Sequence, residues 1–349
     1  MLNILKKWYE RNFHDEEAAI LLLMLLAGVV VVLLLGEILA PVIAALVLAF
    51  LLQGVVAQLL NWRLSHLVAV TASSALLVLL LMLLLGLLLP LAMQQLANLL
   101  QELPALLVIM QEQLVQLPAR YPAFITAVQI NEWTAILSRE LGNLGQLALS
   151  LSLSKIPNLF NLLIYIILIP VLVFFFLKDR ELLLGWCSSR LPLQRPLLSR
   201  IWQEMNEQMA NYVRGKALEM GLVGAVSYVV FIWFGLNYAA LLAITVGLSV
   251  IIPYIGAFLV TVPVLLVAFL QWGWGGDFML LASVYLLIQA LDGYALVPML
   301  FSETVNLHPV AILLAILLFG GLWGLWGVFF AIPLATLIKA VLGAWPKFP

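Results

Sequence analysis

Long uninterrupted runs of hydrophobic residues fill most of this chain, and two polar stretches separate them. A helix needs about 20 predominantly apolar residues to cross the hydrocarbon core of a bilayer. Runs of about that length cover residues 18–35, 37–52, 67–92, 157–177, 217–236 and 278–300. The pattern therefore predicts an all-α polytopic membrane protein with about six full spans.

The two polar stretches keep a helical period but are too polar to span. Between residues 93 and 155, apolar residues recur at helical spacing, and prolines divide the stretch into short helices. The third span is expected to end at Pro90, just before this stretch. Residues 178–216 are amphipathic and basic. A solvated helix face is expected there for Glu204, Glu207, Arg214 and Lys216.

Composition supports the membrane class. Of the residues, 65% are hydrophobic and 9% are charged, whereas soluble domains have about one quarter charged residues. The lone cysteine, Cys187, excludes a disulfide framework and a thiolate metal cluster. The first apolar run follows a charged lead without a small-residue cleavage site, so a retained span is expected rather than a signal peptide.

Lysine and arginine are unevenly distributed among the loops, and the positive-inside rule converts this into an orientation. With a cytoplasmic N-terminus, the cytoplasmic set is Lys6, Lys7, Arg11, Arg63, Lys178, Arg180, Arg190, Arg195, Arg200, Arg214 and Lys216, and the outer set is Arg120, Arg139 and Lys155. The expected organisation is N-terminal spans over 1–92, an extracytoplasmic amphipathic helical insert over 93–156, the fourth span over 157–177, cytoplasmic amphipathic helices over 178–216 and a C-terminal transport core over 217–349.

The C-terminal half contains an internal repeat. Residues 236–263 align with residues 307–334 after a shift of 71 positions, so that Gly256 falls on Gly327. Each copy has an apolar arm of about 15 residues, a Gly/Pro-rich break and a second arm, and such arms are shorter than a full span. Paired short segments of this kind indicate discontinuous helices and a transporter site. Chance similarity between Leu/Ala/Gly-rich membrane sequences is the alternative explanation.

Topology favours two hairpins of opposite orientation. The chain is outside after the fifth span, so a hairpin over 237–272 returns it there and the span 278–300 crosses inward. A second hairpin, starting inside at Leu307, then returns Lys339 to the cytoplasm, as the charge rule favours. The expected arrangement is an inverted repeat of two Gly/Pro-broken helical hairpins with both chain ends cytoplasmic. These hairpins are either re-entrant or fully spanning.

Asp292 is the first candidate for a transport site. Ionisable residues within membrane spans are rare and usually functional, and Asp292 lies about two-thirds along its span. A buried carboxylate there can carry a proton or a cation, although a structural hydrogen bond or ion pair is the alternative. Gln289 lies one turn earlier on the same face and can complete a polar site. Asn306 adds a third polar group to this segment.

The helix breaks supply the second set of candidates, because a break frees backbone groups that can bind ions and polar substrates. The residues concerned are Pro253, Gly256, Gly320, Gly321, Gly324 and Gly327. Close helix packing through small residues explains these glycines equally well.

Several motifs of this half carry a family resemblance. They are PYIG at 253–256, QALDG at 289–293, LHP at 307–309 and FGGLWGLWGVFFAIP at 319–333. With them the chain resembles the autoinducer-2 exporter family of bacterial inner-membrane proteins, over nearly its whole length and most densely from Gln203 onward. The resemblance implies a multi-span permease with an extracytoplasmic helical insert that assembles as a homo-oligomer. Many members have Glu at the position of Asp292, which keeps the carboxylate but changes its reach.

The absence of several sequence motifs reduces the number of possible functions. The chain has no GxxxxGK[ST], no HExxH and no second intramembrane aspartate placed to form a protease dyad with Asp292, so it is not expected to be an enzyme. No cofactor, metal site or nucleic-acid partner is expected either. The expected partners are the lipid bilayer, a small-molecule or ion substrate and further copies of the chain.

The favoured hypothesis is a secondary transporter of the inner membrane. By resemblance, it exports a small polar, autoinducer-2-like solute or exchanges sodium or lithium for protons. The alternative is a channel or membrane scaffold without coupled transport.

The inverted repeat predicts a cytoplasmic C-terminus. In a variant with Cys187→Ser and Phe348→Cys, the single new thiol should resist a membrane-impermeant maleimide until the cells are opened. Labelling of intact cells would contradict the paired hairpins and favour a channel or scaffold.

Overall fold

A computed structural model gives the fold of residues 16–115, 158–192, 195–253, 255–301 and 307–344, and of the isolated positions 132, 135 and 139. Throughout these residues the chain forms helices and short turns without a strand, which confirms the all-α class. In chain order the helices are α1 (Glu16–Asn61), α2 (His66–Leu83), α3 (Leu89–Val115), α4 (Asn158–Lys178), α5 (Arg180–Ser188), α6 (Pro196–Trp233), α7 (Ala239–Ser249), α8 (Ile255–Trp272), α9 (Gly276–Leu291), α10 (Val297–Phe301) and α11 (Pro309–Ala344).

Six helical segments of the described ranges are long and apolar enough to cross a bilayer, which confirms the predicted number. They are Ile38–Asn61, His66–Glu102, Pro196–Trp233, Ile255–Trp272, Gly276–Phe301 and Pro309–Gly343. The expected spans at 18–35 and 157–177 contain shorter apolar helices, Ile20–Gly36 and Ile164–Lys178, while each repeat copy contributes a segment. Large apolar side chains are exposed along these helices, as suits a hydrocarbon solvent.

The chain forms two compact units. Unit 1 contains residues 1–78, 167–219 and 293–349, and unit 2 contains residues 79–166 and 220–292. Helices α6, α10 and α11 share a core cluster in unit 1, made of Tyr212, Val213, Phe301, Ile312, Ala315, Ile316, Ala331 and Ile332. Helices α6 to α9 supply the most deeply buried side chains of unit 2, namely Phe231, Val246, Val264, Leu281 and Tyr285.

The first two expected spans form one helix, α1, and that helix must bend. Near its start, Glu17 Oε2 accepts a hydrogen bond from Leu197 N at 2.9 Å. Near its end, a β-carbon on Gly54 would lie 3.4 Å from Arg214 Cδ. A straight helix would separate Glu17 from Gly54 by about 55 Å, whereas α6 separates Leu197 from Arg214 by only about 26 Å. Pro41 lies inside α1 and is a common cause of such a bend, so both halves of α1 contact α6.

The third span does not end at Pro90 as expected. Helix α2 continues through a π turn, Leu84–Leu88, into α3, which contains Pro90. A proline ring inside an α-helix clashes with the carbonyl four residues earlier, here that of Gly86, and the wider π turn contains this residue. The same spacing recurs at the π turn Asp292–Leu296, which precedes Pro298. The bulges let both helices pass a proline that the sequence pattern alone treats as a break.

The first repeat copy is a helical hairpin, termed hairpin 1 (α7 and α8). Helix α7 has 11 residues and is about 16 Å long, whereas the hydrocarbon core is about 30 Å thick. Gln271 closes the open end, because its Oε1 accepts a hydrogen bond from Asn237 N and its Nε2 donates to Gly235 O, both at 2.8 Å. At the tip, a β-carbon on Gly256 would lie 1.8 Å from Ser249 O. The two ends of hairpin 1 therefore lie next to each other.

The second repeat copy folds back within α11 and is termed hairpin 2. At Gly324 the backbone leaves helical values, with φ 60° and ψ −137°, which divides α11 into two arms. A β-carbon on Gly327 would lie 1.8 Å from Phe319 O in the first arm. Ile312 and Ile332 belong to one core cluster, although a straight helix would hold them about 30 Å apart. This copy is therefore a hairpin rather than one continuous helix.

A methyl group at either tip contact should open the hairpin that the glycine closes. Gly256→Ala and Gly327→Ala each place a β-carbon 1.8 Å from a carbonyl oxygen, so we expect each to cost about 1–3 kcal/mol of stability. The measurement is thermal unfolding of the detergent-purified protein. Gly321→Ala is the control, because a β-carbon there meets no atom within 4 Å. An equal loss in all three variants would contradict the close contacts.

Candidate functional site

Helix α9 presents three polar side chains on one face. Tyr285, Gln289 and Asp292 are spaced i, i+4 and i+7, which aligns them along one stripe of an α-helix. Tyr285 is fully buried and Asp292 is 8% exposed, whereas Leu286 and Leu291 are exposed. The polar stripe thus faces protein and the leucines face outward, as expected for a polar site in a membrane helix.

Hydrogen bonds connect the polar stripe to hairpin 1. Gln289 Nε2 donates to Tyr285 OH at 2.7 Å, and Tyr285 OH lies 3.4 Å from Thr261 Oγ1 on α8. Thr261 Oγ1 donates to Ala257 O at 2.7 Å. Because Ala257 follows Gly256, the network runs from the tip of hairpin 1 to Gln289. The structure thereby connects the predicted residue Gln289 to Ala257, the chain neighbour of the predicted residue Gly256, through Tyr285 and Thr261, which were not predicted from the sequence.

The Gln289 amide has one group that the network does not use. Its Oε1 is buried and accepts no hydrogen bond from any residue that the structure describes. A buried acceptor without a donor costs about 1–3 kcal/mol, so a ligand hydroxyl or a cation would be stabilised there. This oxygen gives the polar stripe an acceptor for a bound solute.

Asp292 begins the π turn that widens this span. It is buried, as the sequence predicts. Single π turns inside helices are frequent at functional sites, because the extra residue changes where side chains and backbone groups point. This turn was not predicted from the sequence. Its signal is Pro298, which follows Asp292 by the same six positions that separate Leu84 from Pro90.

The predicted backbone candidates lie at two separate breaks. Pro253 and Gly256 lie at the tip of hairpin 1 in unit 2, where Ile255 N donates to Pro253 O at 2.7 Å. The candidates of hairpin 2 in unit 1 are Gly320, Gly321, Gly324 and Gly327. Of these, Gly327 is buried against the first arm, whereas Gly321 and Gly324 are exposed. Asn306 lies outside the described residues.

A buried ion pair in α6 contradicts the expected solvated face at Lys216. Lys216 Nζ donates to Glu219 Oε2 at 2.8 Å, and the two residues are only 4% and 2% exposed. Lys216 Nζ also lies 5.5 Å from the centroid of the Phe301 ring. One turn earlier, Tyr212 OH donates to Phe329 O at 2.8 Å. The last of these contacts attaches α6 to the second arm of hairpin 2.

The solvated-face prediction failed at Lys216 because α6 enters the packed core before its hydrophobic run begins. Glu204 and Glu207, earlier in the same helix, are exposed as expected. At Gly215 the ring of Phe301 packs so closely that a β-carbon would lie 2.7 Å from it. The sequence does contain a signal for a buried pair. Lys216 is followed three residues later by Glu219, and both lie beside Gly215 at the start of an apolar run.

A second polar group fixes the open end of hairpin 1 to α3. Tyr238 OH donates to Glu102 Oε2, and Leu241 N donates to Gln95 Oε1 at 2.8 Å. Burial, together with the hydrogen bond to Glu102 and the charge of Glu102, raises the pKa of Tyr238 to about 12. Tyr238 therefore keeps its proton, and its role as a donor, throughout the physiological pH range.

The chain is similar to one family of transport proteins. The sequence profile described as "AI-2E family transporter" matches residues 20–347. The chain is 46% identical over 346 residues to the protein named "Putative permease PerM" of Escherichia coli (strain K12), which covers 99% of this chain and 98% of that protein. A protein of Synechocystis named as a "Putative transport protein" is 30% identical over 317 residues, covering 86% of this chain and 76% of that protein. The protein named "Putative transport protein YueF" of Bacillus subtilis is 30% identical over 215 residues, covering 61% and 58%.

Because Glu219 is buried and Glu207 is exposed, we expect the loss of each carboxylate to change the stability of the protein by a different amount. Glu219→Gln removes one partner of a buried ion pair, so we expect a loss of about 3–5 kcal/mol in stability. Glu207→Gln changes an exposed carboxylate of the same helix and should stay within about 0.5 kcal/mol of the parent. Thermal unfolding in detergent measures both. Equal stability of the two variants would contradict the burial of Glu219.

Proposed function

Since the chain belongs to the AI-2E transporter family, we propose that it is a secondary transporter of the bacterial inner membrane that exports a small polar solute. The chain is a multi-pass membrane transporter, and the relatives reported above are named as permeases or transport proteins. The observation that carries the finer proposal is the polar stripe of α9. It ends on a buried aspartate at the point where an apolar span widens into a π turn.

The substrate site of this proposal centres on Gln289 and Asp292. The Gln289 oxygen and the Asp292 carboxylate are hydrogen-bond acceptors on one face of a membrane helix. A solute rich in hydroxyl groups supplies matching donors, and autoinducer-2 belongs to this chemical class. The backbone groups at the tip of hairpin 1, around Gly256, are further ligands in this proposal. In unit 1, the backbone groups around Gly324 and the side chain of Asn306 are proposed as separate ligands.

The coupling step of the proposal uses the carboxylate of Asp292. A charged carboxylate in a low-dielectric span is costly, so it gains from binding a proton, a cation or a donor-rich solute. Alternate occupancy by an ion and a solute then couples the two fluxes. Exchange of sodium or lithium for protons is the second form of this proposal, because a buried carboxylate such as that of Asp292 can bind either a proton or a cation.

In the same proposal, both hairpins are re-entrant and form an inverted repeat. The length of α7, about 16 Å, supports a segment that enters the bilayer without crossing it. The Lys and Arg distribution supports a cytoplasmic N-terminus, a cytoplasmic C-terminus and an extracytoplasmic insert over 93–156. Homo-oligomeric assembly is proposed from the family resemblance.

Counterflow in proteoliposomes distinguishes the forms of the proposal. Vesicles loaded with unlabelled autoinducer-2 should accumulate labelled autoinducer-2 transiently, and the initial rate should saturate with concentration. A sodium- or lithium-dependent change of internal pH without counterflow would favour cation–proton exchange. Linear, non-saturating flux would favour a channel, and no flux in either assay would favour a scaffold.

Loss of the Asp292 charge should lower coupled flux. We expect Asp292→Asn to reduce the initial rate by about tenfold or more, the factor that 1.4 kcal/mol of lost stabilisation gives. Asp292→Glu should retain coupled flux, because it keeps the carboxylate. The matched control is Asp277→Asn, which neutralises an exposed aspartate in the first turn of the same helix.

Unchanged flux in Asp292→Asn would remove this residue from the mechanism. Equal losses in Asp292→Asn and Asp277→Asn would indicate a general effect of charge on folding instead of a role at the site.

A further inference from the structure

Unit 1 contains a cavity whose lining residues are far in sequence from the polar stripe of α9. Its volume is about 480 Å³, and four helices line it: α1, α4, α5 and α6. The lining is almost wholly apolar and includes Leu46, Ala49, Phe176, Leu184, Trp202 and Met209. Ligand pockets usually have volumes of about 300–1,000 Å³, so this cavity is large enough for a bound molecule.

One arginine gives the cavity a charged rim. Arg180 is the first residue of α5 and lines the cavity together with Gln53. With the Gln53 amide oriented to suit both groups, its oxygen lies 2.8 Å from Arg180 Nη1. This contact orients the guanidinium and leaves it other donors, because a guanidinium carries five N–H groups. The cavity thus combines an apolar interior with a cationic edge.

The surroundings of Arg180 are those of a membrane–water boundary. The apolar helix α4 ends at Lys178, and the short helix α5 follows at once. Leu182 and Trp186 of α5 are 71% and 61% exposed, and Arg190 lies over the Trp186 ring at 5.1 Å. Exposed Leu and Trp beside basic residues are typical of a helix that lies in the interface. The cavity therefore opens where lipid head groups meet acyl chains.

We propose that this cavity binds an anionic phospholipid, with one acyl chain inside it and the phosphate at Arg180. The apolar lining offers a polar solute few hydrogen-bond partners, whereas it matches an acyl chain. Basic pockets between membrane helices bind anionic lipid head groups through the same combination of features. Because α1, α4, α5 and α6 all line the cavity, the lipid joins the bent N-terminal helix to the helix that carries the buried Lys216–Glu219 pair.

The chain provides its own probe for this site. Cys187 is the only cysteine of the sequence, is exposed and lines the cavity, so a bimane label on it reports on the occupant without further substitution. The labelled full-length protein is placed in nanodiscs that contain phosphatidylglycerol or phosphatidylcholine with the same nitroxide-labelled acyl chain. We expect phosphatidylglycerol to quench the label at a several-fold lower mole fraction than phosphatidylcholine.

Arg180→Gln removes the cationic edge and should abolish this lipid preference. Arg190→Gln is the matched control, because it removes a basic residue of the same boundary that does not line the cavity. As a label-free measurement, phosphatidylglycerol retained per protein after detergent exchange should fall in Arg180→Gln and not in Arg190→Gln.

Three outcomes would overturn the proposal. They are equal quenching by the two lipids, an unchanged preference in Arg180→Gln, and no quenching by either lipid. The last result would mean that protein fills the cavity. None of these measurements depends on transport, so they are independent of the proposed solute flux.

Discussion

Hydrocarbon supplies no hydrogen bonds, and this constraint governs the fold of the chain. Every backbone group within the bilayer must find a partner in the protein, so a helix that breaks there needs a close substitute for its lost turn. The two hairpins meet this need in the same way. In each, a glycine near the start of the second arm lies directly against a carbonyl at the end of the first, Gly256 on Ser249 and Gly327 on Phe319. A chain with a side chain at either glycine would hold the arms apart and expose the broken ends. The glycine contact therefore lets each helix break while its two arms stay packed together.

The polar side chains within the membrane helices are likewise enclosed by other parts of the protein. The stripe of α9 is joined to α8 by the Tyr285–Thr261 contact, and the buried Lys216–Glu219 pair lies beside the Phe301 ring. Each cluster lies within one unit and beside one hairpin. A change of ligand or protonation at either cluster would thus act on a broken helix, an element that rearranges at less cost than a continuous one.

Hydropathy predicted the membrane class and the number of spans, because both depend on long runs that few substitutions interrupt. The Gly/Pro pattern predicted two broken hairpins, since the backbone at Gly324 requires a residue without a β-carbon. Asp292 was expected to be buried, and it is. The π turns were missed because their cause is a proline several residues downstream, which sequence rules treat as a helix end. Burial of Lys216 was missed because it depends on Phe301, a residue far along the chain. The bend of α1 was likewise hidden, since its proof lies in contacts with α6 at both ends.

The π turns also have a consequence for how this protein can change length in evolution. Each one stores a single surplus residue inside a span, and every position beyond it is turned by about 100° relative to an uninterrupted α-helix. Loss of one residue between Asp292 and Leu296 would barely shorten the span. It would instead rotate the last turns, turning Phe301 away from Lys216 and placing Pro298 in an ordinary helical turn, where its ring clashes with a backbone carbonyl. Insertions and deletions at this point should therefore be excluded among functional descendants, even though Gly293, Tyr294 and Ala295 are exposed.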